Sequence, residues 1–143
     1  MADILHDLII ESSQSNVFQG VSSPDLINQW WTLACEGGAR IGAEYRLFFG
    51  EGFDWRAKVI SYELDNRLDL KMTICDHDWM DTVVGFHLEA VKVGTKLRFQ
   101  HRYWKDWNDH FRTSSYCWAM YLRILKRYLE FGEEVHYSQR LNA

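Results

Sequence analysis

Between Ala43 and Trp104 the chain alternates in hydrophobicity in five successive stretches, separated by breaks of only a few residues. In AEYRLFFG, Ala43, Tyr45, Leu47 and Phe49 take one side, Glu44 and Arg46 the other. In FDWRAKVISYEL, Trp55, Ala57 and Val59 oppose Arg56 and Lys58. In RLDLKMTIC, Leu68, Leu70, Met72 and Ile74 oppose Asp69, Lys71 and Thr73. TVVGFHLEA sets Thr82, Val84, Phe86 and Leu88 against His87 and Glu89. TKLRFQHRYW sets Leu97, Phe99, His101 and Tyr103 against Lys96, Arg98, Gln100 and Arg102. A period of two is that of a half-buried strand. The breaks GEG, DNR, DHDWMD and KVGT leave no room for a crossover helix, so successive strands must be antiparallel neighbours. The product is a meander with one dry face and one wet face.

Beyond Trp104 the period changes. From Asp109 to Phe131, one apolar stripe runs Phe111, Ser115, Trp118, Leu122, Leu125, Leu129. A second runs Ser114, Cys117, Tyr121, Ile124, Tyr128, Phe131, with Arg123, Lys126, Arg127 and Glu130 largely opposite. Steps of three and four predict one amphipathic helix over 30 Å long at ~1.5 Å per residue. Gly132 supplies its stop, and residues 132–143 read as a polar, loosely held tail. Before the meander, ILHDLIIES (4–12) is apolar enough for a strand of either parity. Two short helices follow, one over about Ser15 to Val21. The other opens at Ser23, with Pro24 at a position that needs no N–H. Leu26, Ile27 and Trp30 share its face, and Trp31 stands beside them; one of the two tryptophans is expected to enter the core and the other to line or shield an opening. Gly37 and Gly38 mark the exit.

A sheet with one dry face needs a cover, and the long helix is the only element large enough. The fold class is therefore α+β: a curved antiparallel sheet of about six strands wrapped on a C-terminal helix, forming a single domain over 1–143. The helices after the first strand close one end, and the gap between sheet and long helix is the natural cavity.

The function classes narrow by exclusion. The 143 residues carry 16 basic and 20 acidic side chains with no basic block, which argues against nucleic acid. No apolar run approaches a membrane span, and MADILHDLII is not a signal sequence. Cys35, Cys75 and Cys117 match neither a disulfide framework nor a zinc spacing, so reduced thiols and a cytoplasmic setting are expected. Seven Trp, seven Tyr and eight Phe exceed what a small core requires and suggest an aromatic-lined cavity or an interface.

Parity and helix face nominate the ligand-facing set: Trp31, Tyr45, Trp55, Met72, Phe86, Phe99, His101, Tyr103, Trp118, Tyr121 and Leu122. His101, between Phe99 and Tyr103, is the expected polar anchor, weighed against a hydrogen-bonded core histidine. His6 would face the same strand if the first strand turns its even residues inward. Asp76, His77, Asp78 and Asp81 share one connection, but it lacks the glycine and terminal glutamate of a calcium loop and reads as a solvated turn. YWKDWNDHF would lie near one end of the cavity. No nucleophile elbow or phosphate loop is present, and His110 and Cys117 lie two turns apart. No cofactor or metal is expected.

The pieces together resemble the START-like, helix-grip superfamily. Within it the chain is similar to the family named after the activator of the heat-shock protein ninety ATPase. SNVFQGVSSPDLINQWW resembles that family's helix–helix entry, YELDNRLDL its strand turn without the usual prolines, and VGTKLRFQHR its last hairpin. WAMYLRILKRYLEFG resembles its final helix, while RIGAEYRL departs from a usual glycine pair at Ala43. The resemblance implies a helix-grip fold but not one function, because the superfamily hosts ligand carriers, cyclases and co-chaperone domains. The expectation is a non-catalytic module for a small apolar or aromatic ligand, with a homodimer allowed. The alternatives are a cyclase, aromatase or hydrolase using the same cavity, and a co-chaperone or stress-response domain with a chaperone partner.

Overall fold

In the computed structural model, which describes residues 1–143, the meander joins two further strands in one sheet. The elements are β1 (Ala2–Ile10), α1 (Gln14–Ser22), α2 (Pro24–Ile27), β2 (Ala34–Glu36), β3 (Glu44–Phe48), β4 (Asp54–Glu63), β5 (Arg67–Ile74), β6 (Val83–Val91), β7 (Gly94–Trp104) and α3 (Asp109–Phe131). The sheet order is β1-β7-β6-β5-β4-β3-β2, antiparallel throughout. There are seven strands rather than about six. The extra one, β2, is a three-residue edge pairing Cys35 with Leu47, too short to carry an alternation signal. The α+β helix-grip architecture inferred from the sequence is the observed one.

Helix α3 occupies the range its periodicity predicts. Asn108 caps it, its side chain accepting from the Phe111 N–H, and Gly132 ends it at φ 68°, a left-handed conformation that suits a residue without Cβ. Trp118, Leu122, Ile124 and Leu125 are buried against the sheet, and Arg123 is exposed. Lys126, expected outside, is half-buried because its ammonium reaches across to the Ile9 carbonyl at 2.7 Å. Helix α1 is capped by the Ser13 side chain. Ser23 precedes Pro24 as read, but its side chain makes no capping bond, and α2 ends at Ile27, four residues long.

Pairing settles β1. Ile4, His6 and Leu8 stand opposite His101, Phe99 and Leu97, and residues directly opposite share a face, so the even residues turn inward while Leu5 and Ile9 are exposed. The polar tail is not loose. Tyr137–Asn142 form a short 3-10 turn, and the buried Arg140 guanidinium donates to the carbonyls of Asn28 (2.6 Å) and Thr32 (3.3 Å) just beyond α2. The arginine thereby ties the C-terminal turn to the segment that follows α2.

Two residues of β5 break the alternation rule. Ile74, assigned to the dry face, is exposed because the β4–β5 register shifts at Arg56/Ala57. Asp69 lies on the wet face yet is 1% exposed. Its carboxylate accepts from His87 Nε2 (2.8 Å) and Arg67 Nε (2.8 Å), and it lies over Gly85, where a Cβ would stand 2.5 Å from Oδ1.

Leu122→Ala is expected to cost ~2–5 kcal/mol of stability and Arg123→Ala less than ~0.5 kcal/mol, read from urea denaturation midpoints. Gly85→Ala is expected to cost ~1–3 kcal/mol, because the new methyl must push a hydrogen-bonded buried carboxylate from its partners; the same titration reads it.

Candidate functional site: an aromatic cavity under the long helix

The N-terminal half of α3 presents His110, Thr113, Ser114, Cys117 and Tyr121 along one line, at helical steps of three and four. Facing them across a cavity of about 250 Å³ are Trp31 from the turn after α2, Phe49 and Phe53 from the β3–β4 hairpin, Trp55 from β4, Trp79 from the β5–β6 connection, and Tyr137 from the C-terminal turn. Four of these rings form a closed circuit of contacts with Trp118 of α3, which also lines the cavity. Trp31 meets Phe49 at 5.9 Å between centroids, Phe49 meets Trp55 at 5.3 Å, and Trp55 meets Trp79 at 5.0 Å. Trp79 stacks on Trp118 at 6.0 Å, and Trp118 returns to Trp31 at 4.9 Å. Tilted and edge-on contacts of this kind hold each ring by two neighbours.

The circuit is fixed from behind by a directed chain of hydrogen bonds. Thr82 Oγ1 donates to the Trp79 carbonyl (2.6 Å), so it accepts from His101 Nε2 (2.8 Å). That leaves Nδ1 as the acceptor for the Trp118 indole N–H (3.0 Å). Both ring nitrogens are used inside the protein, and burial lowers the imidazole to about 3. His101 is therefore a neutral core histidine and does not line the cavity. This corrects its assignment as the ligand's polar anchor.

Of the sequence-nominated residues, Trp31, Trp55, Trp118 and Tyr121 line the cavity. Tyr45, Met72, Phe86, Phe99 and Leu122 are buried in the core behind it, with the Tyr45 hydroxyl donating to the Ser22 carbonyl at 2.6 Å. Tyr103 points outward. From Ala2 to Ile4 the chain advances two residues in β1 while β7 advances three, from His101 to Trp104. The extra residue is a bulge: Tyr103 adopts φ 70°, its N–H donates to Asp3, its ring is 45% exposed, and Trp104 is buried in its place. Of the tryptophan pair, Trp31 lines the cavity, while Trp30 is buried beneath α1 with its indole N–H on the Gly20 carbonyl (2.9 Å). His6 does not pair with His101; it contacts the Ser115 carbonyl at 3.2 Å.

Phe49, Phe53, Trp79, His110, Thr113, Ser114, Cys117 and Tyr137 were not nominated. The signal for Trp79 was present: a large indole inside an acidic connection has no reason to stay in water. That connection is a turn, but it is not merely solvated. It holds a 3-10 turn at His77–Trp79 that buries Trp79 and sets the Asp78 carboxylate 3.0 Å from His110 Nδ1. This hydrogen bond holds the Asp78 carboxyl below its usual range. Burial raises the Cys117 thiol and pushes the Tyr121 hydroxyl up to about 12, so both are neutral at pH 7. None of the twelve lining residues is Lys, Arg, Asp or Glu. No three His, Cys, Asp or Glu side chains converge to hold a metal ion, and no helix is long and apolar enough to cross a membrane.

A curved antiparallel sheet wrapped on a long C-terminal helix defines a helix-grip fold. Residues 11–130 match the family described as activator of Hsp90 ATPase homolog 1-like protein, and the chain belongs to it. No curated protein sequence matches the chain. Among solved structures it is similar to the Aha1 dimer from Colwellia psychrerythraea, solved in solution, at 28% identity and TM-score 0.84, covering 93% of this chain and 99% of that one. Protein SSP2350 from Staphylococcus saprophyticus is 18% identical with TM-score 0.79, over 94% and 96% of the two chains. CalU16 from Micromonospora echinospora is 18% identical with TM-score 0.76, over 98% and 81%. The last two show the fold alone.

His101 stays neutral when folded down to about pH 3, whereas an unfolded histidine takes a proton near pH 6.5. Below ~6.5 the unfolded state binds more protons, so stability is fully present above that pH and falls as pH drops, by up to ~1.4 kcal/mol per unit from this group. His101→Gln keeps one donor and one acceptor without titrating. It is expected to be less stable at pH 7 but to lose less between pH 7 and 5, read from urea midpoints at both pH values.

Proposed function

We propose that the chain is a non-catalytic binding module for a small, flat, largely apolar aromatic molecule, held under α3 against the aromatic circuit. The circuit of Trp31, Phe49, Trp55, Trp79 and Trp118 is the observation that carries this reading. Five mutually braced rings present apolar faces without needing to reorganise, which lowers the ordering cost of binding. A volume of about 250 Å³ suits one or two fused rings rather than a long acyl chain. Burying ~300 Å² of apolar ligand surface would contribute on the order of 7 kcal/mol before association costs. The proposal includes self-association, which the dimeric Colwellia relative supports.

Native mass spectrometry of the purified chain, against a denatured control, is expected to show a co-purifying small molecule. Naphthalene is expected to quench or shift tryptophan fluorescence in a saturable way. Trp55 is only half-buried, so Trp55→Ala should still fold. It is expected to weaken naphthalene binding about threefold to tenfold, the worth of one ring contact. Equal affinity in wild type and variant would count against the site.

A further inference from the structure

The cavity has one end with directional chemistry. His110 lines it near the start of α3, while Asp78, its partner, is not among the lining residues. An ionised carboxylate can only accept, so the Asp78 contact requires the proton on His110 Nδ1. In the neutral ring Nε2 is then a bare acceptor. His110 Nε2 makes no hydrogen bond within the chain, whereas the imidazole of His101 uses both nitrogens. The ring is also held edge-on against Trp104, 5.7 Å away at 83°. Thus a carboxylate outside the cavity orients an imidazole that offers one acceptor at its edge. The carboxylate fixes the tautomer of a ring that lies at the wall of a largely apolar cavity, as carboxylates do for metal-binding and catalytic histidines.

We propose that the cavity takes a neutral aromatic alcohol, a phenol, whose O–H is donated to His110 Nε2 while its ring lies against the aromatic circuit; this rests on the binding-module reading above. Nε2 needs a donor, which an unsubstituted hydrocarbon lacks. A carboxylate ligand would bring only acceptors and a charge, and no Lys or Arg lines the cavity to meet it. A phenol brings one donor on a flat apolar body. Ser114 and Tyr121 lie farther along the same helical line and can serve the remaining lone pairs or a second substituent. Ser114 Oγ is already oriented, since it accepts from the Trp79 indole N–H at 3.3 Å.

The test compares 2-naphthol, 2-methylnaphthalene and 2-naphthoate, near-isosteric probes, by calorimetry on the full chain, its His110→Phe variant and its Asp78→Ala variant. Wild type is expected to prefer 2-naphthol over 2-methylnaphthalene by about threefold to tenfold, the range for one hydrogen bond, with 2-naphthoate weakest. His110→Phe is expected to erase the preference while still binding 2-methylnaphthalene. Asp78→Ala keeps the imidazole but frees its tautomer, and is expected to reduce the preference. Bound naphthol, excited beyond tryptophan absorption, is expected to emit as the naphtholate in wild type and not in His110→Phe. If wild type binds both neutral probes equally, if the preference survives in His110→Phe, or if 2-naphthoate binds best, this inference is overturned and the cavity reading stands. If none of the three probes binds, both fail.

Discussion

The hydrogen-bond chain from Trp118 through His101 and Thr82 to the Trp79 carbonyl ties together the parts of this fold that are remote in sequence. It joins α3, β7, the start of β6 and the β5–β6 connection. Each link has a fixed direction, because the threonine's proton is committed to a carbonyl and the indole can only donate. Rotating α3 by one residue, or slipping β7 by one, would leave an imidazole nitrogen, an indole N–H or a hydroxyl unpaired in a dry core. Each such loss costs on the order of 1–3 kcal/mol, a large share of a small domain's net stability. Apolar packing would tolerate several azimuths of a Leu-rich helix against a curved sheet. The polar chain selects one, and in doing so places two of the five rings of the circuit.

The same chain explains which features were legible in the sequence. Strand and helix periods, the extent of α3, the helix–helix entry and the grip itself all follow from side chains repeating at two or at three and four. Tyr103, Ile74 and Asp69 did not follow, for distinct reasons. An extra residue in β7 reverses parity beyond His101, and nothing in RYW marks the insertion. The β4–β5 shift does the same to Ile74. Asp69 keeps its parity but is covered by the side chains of its neighbours, across a glycine that leaves room for it. The order in the C-terminal tail depends on Arg140 finding carbonyls more than a hundred residues away, which no local pattern encodes.

The cavity was legible only in part, because inward parity does not distinguish a residue that lines a space from one that fills it. Tyr45, Met72, Phe86 and Phe99 are as inward as Trp55, yet they are fully buried in the continuous core and leave no room. What separates the two groups is the element opposite. Phe99 meets Trp118 at 4.4 Å, and Trp118 fills the space in front of it. Trp55 faces the first turns of α3, where the side chains across the gap are small.

That difference is written into α3 as a gradient of side-chain size. Toward its C-terminus the inward positions are Leu122, Ile124, Leu125 and Leu129, which fill the space down to the sheet and against α1. Toward its N-terminus the cavity-lining side chains between His110 and Trp118 are Thr113, Ser114 and Cys117, all small and none a strong helix former, with Ser114 meeting Trp79 through the indole N–H. A helix selected only to cover a sheet would carry leucine there, gaining helix propensity and buried area together. Here these three positions forgo both, and the Asn108 cap and the Trp79–Ser114 hydrogen bond hold that end in place instead. The volume under α3 thus depends on these small side chains, and leucine at Cys117 would narrow it while leaving the Trp79–Ser114 hydrogen bond in place.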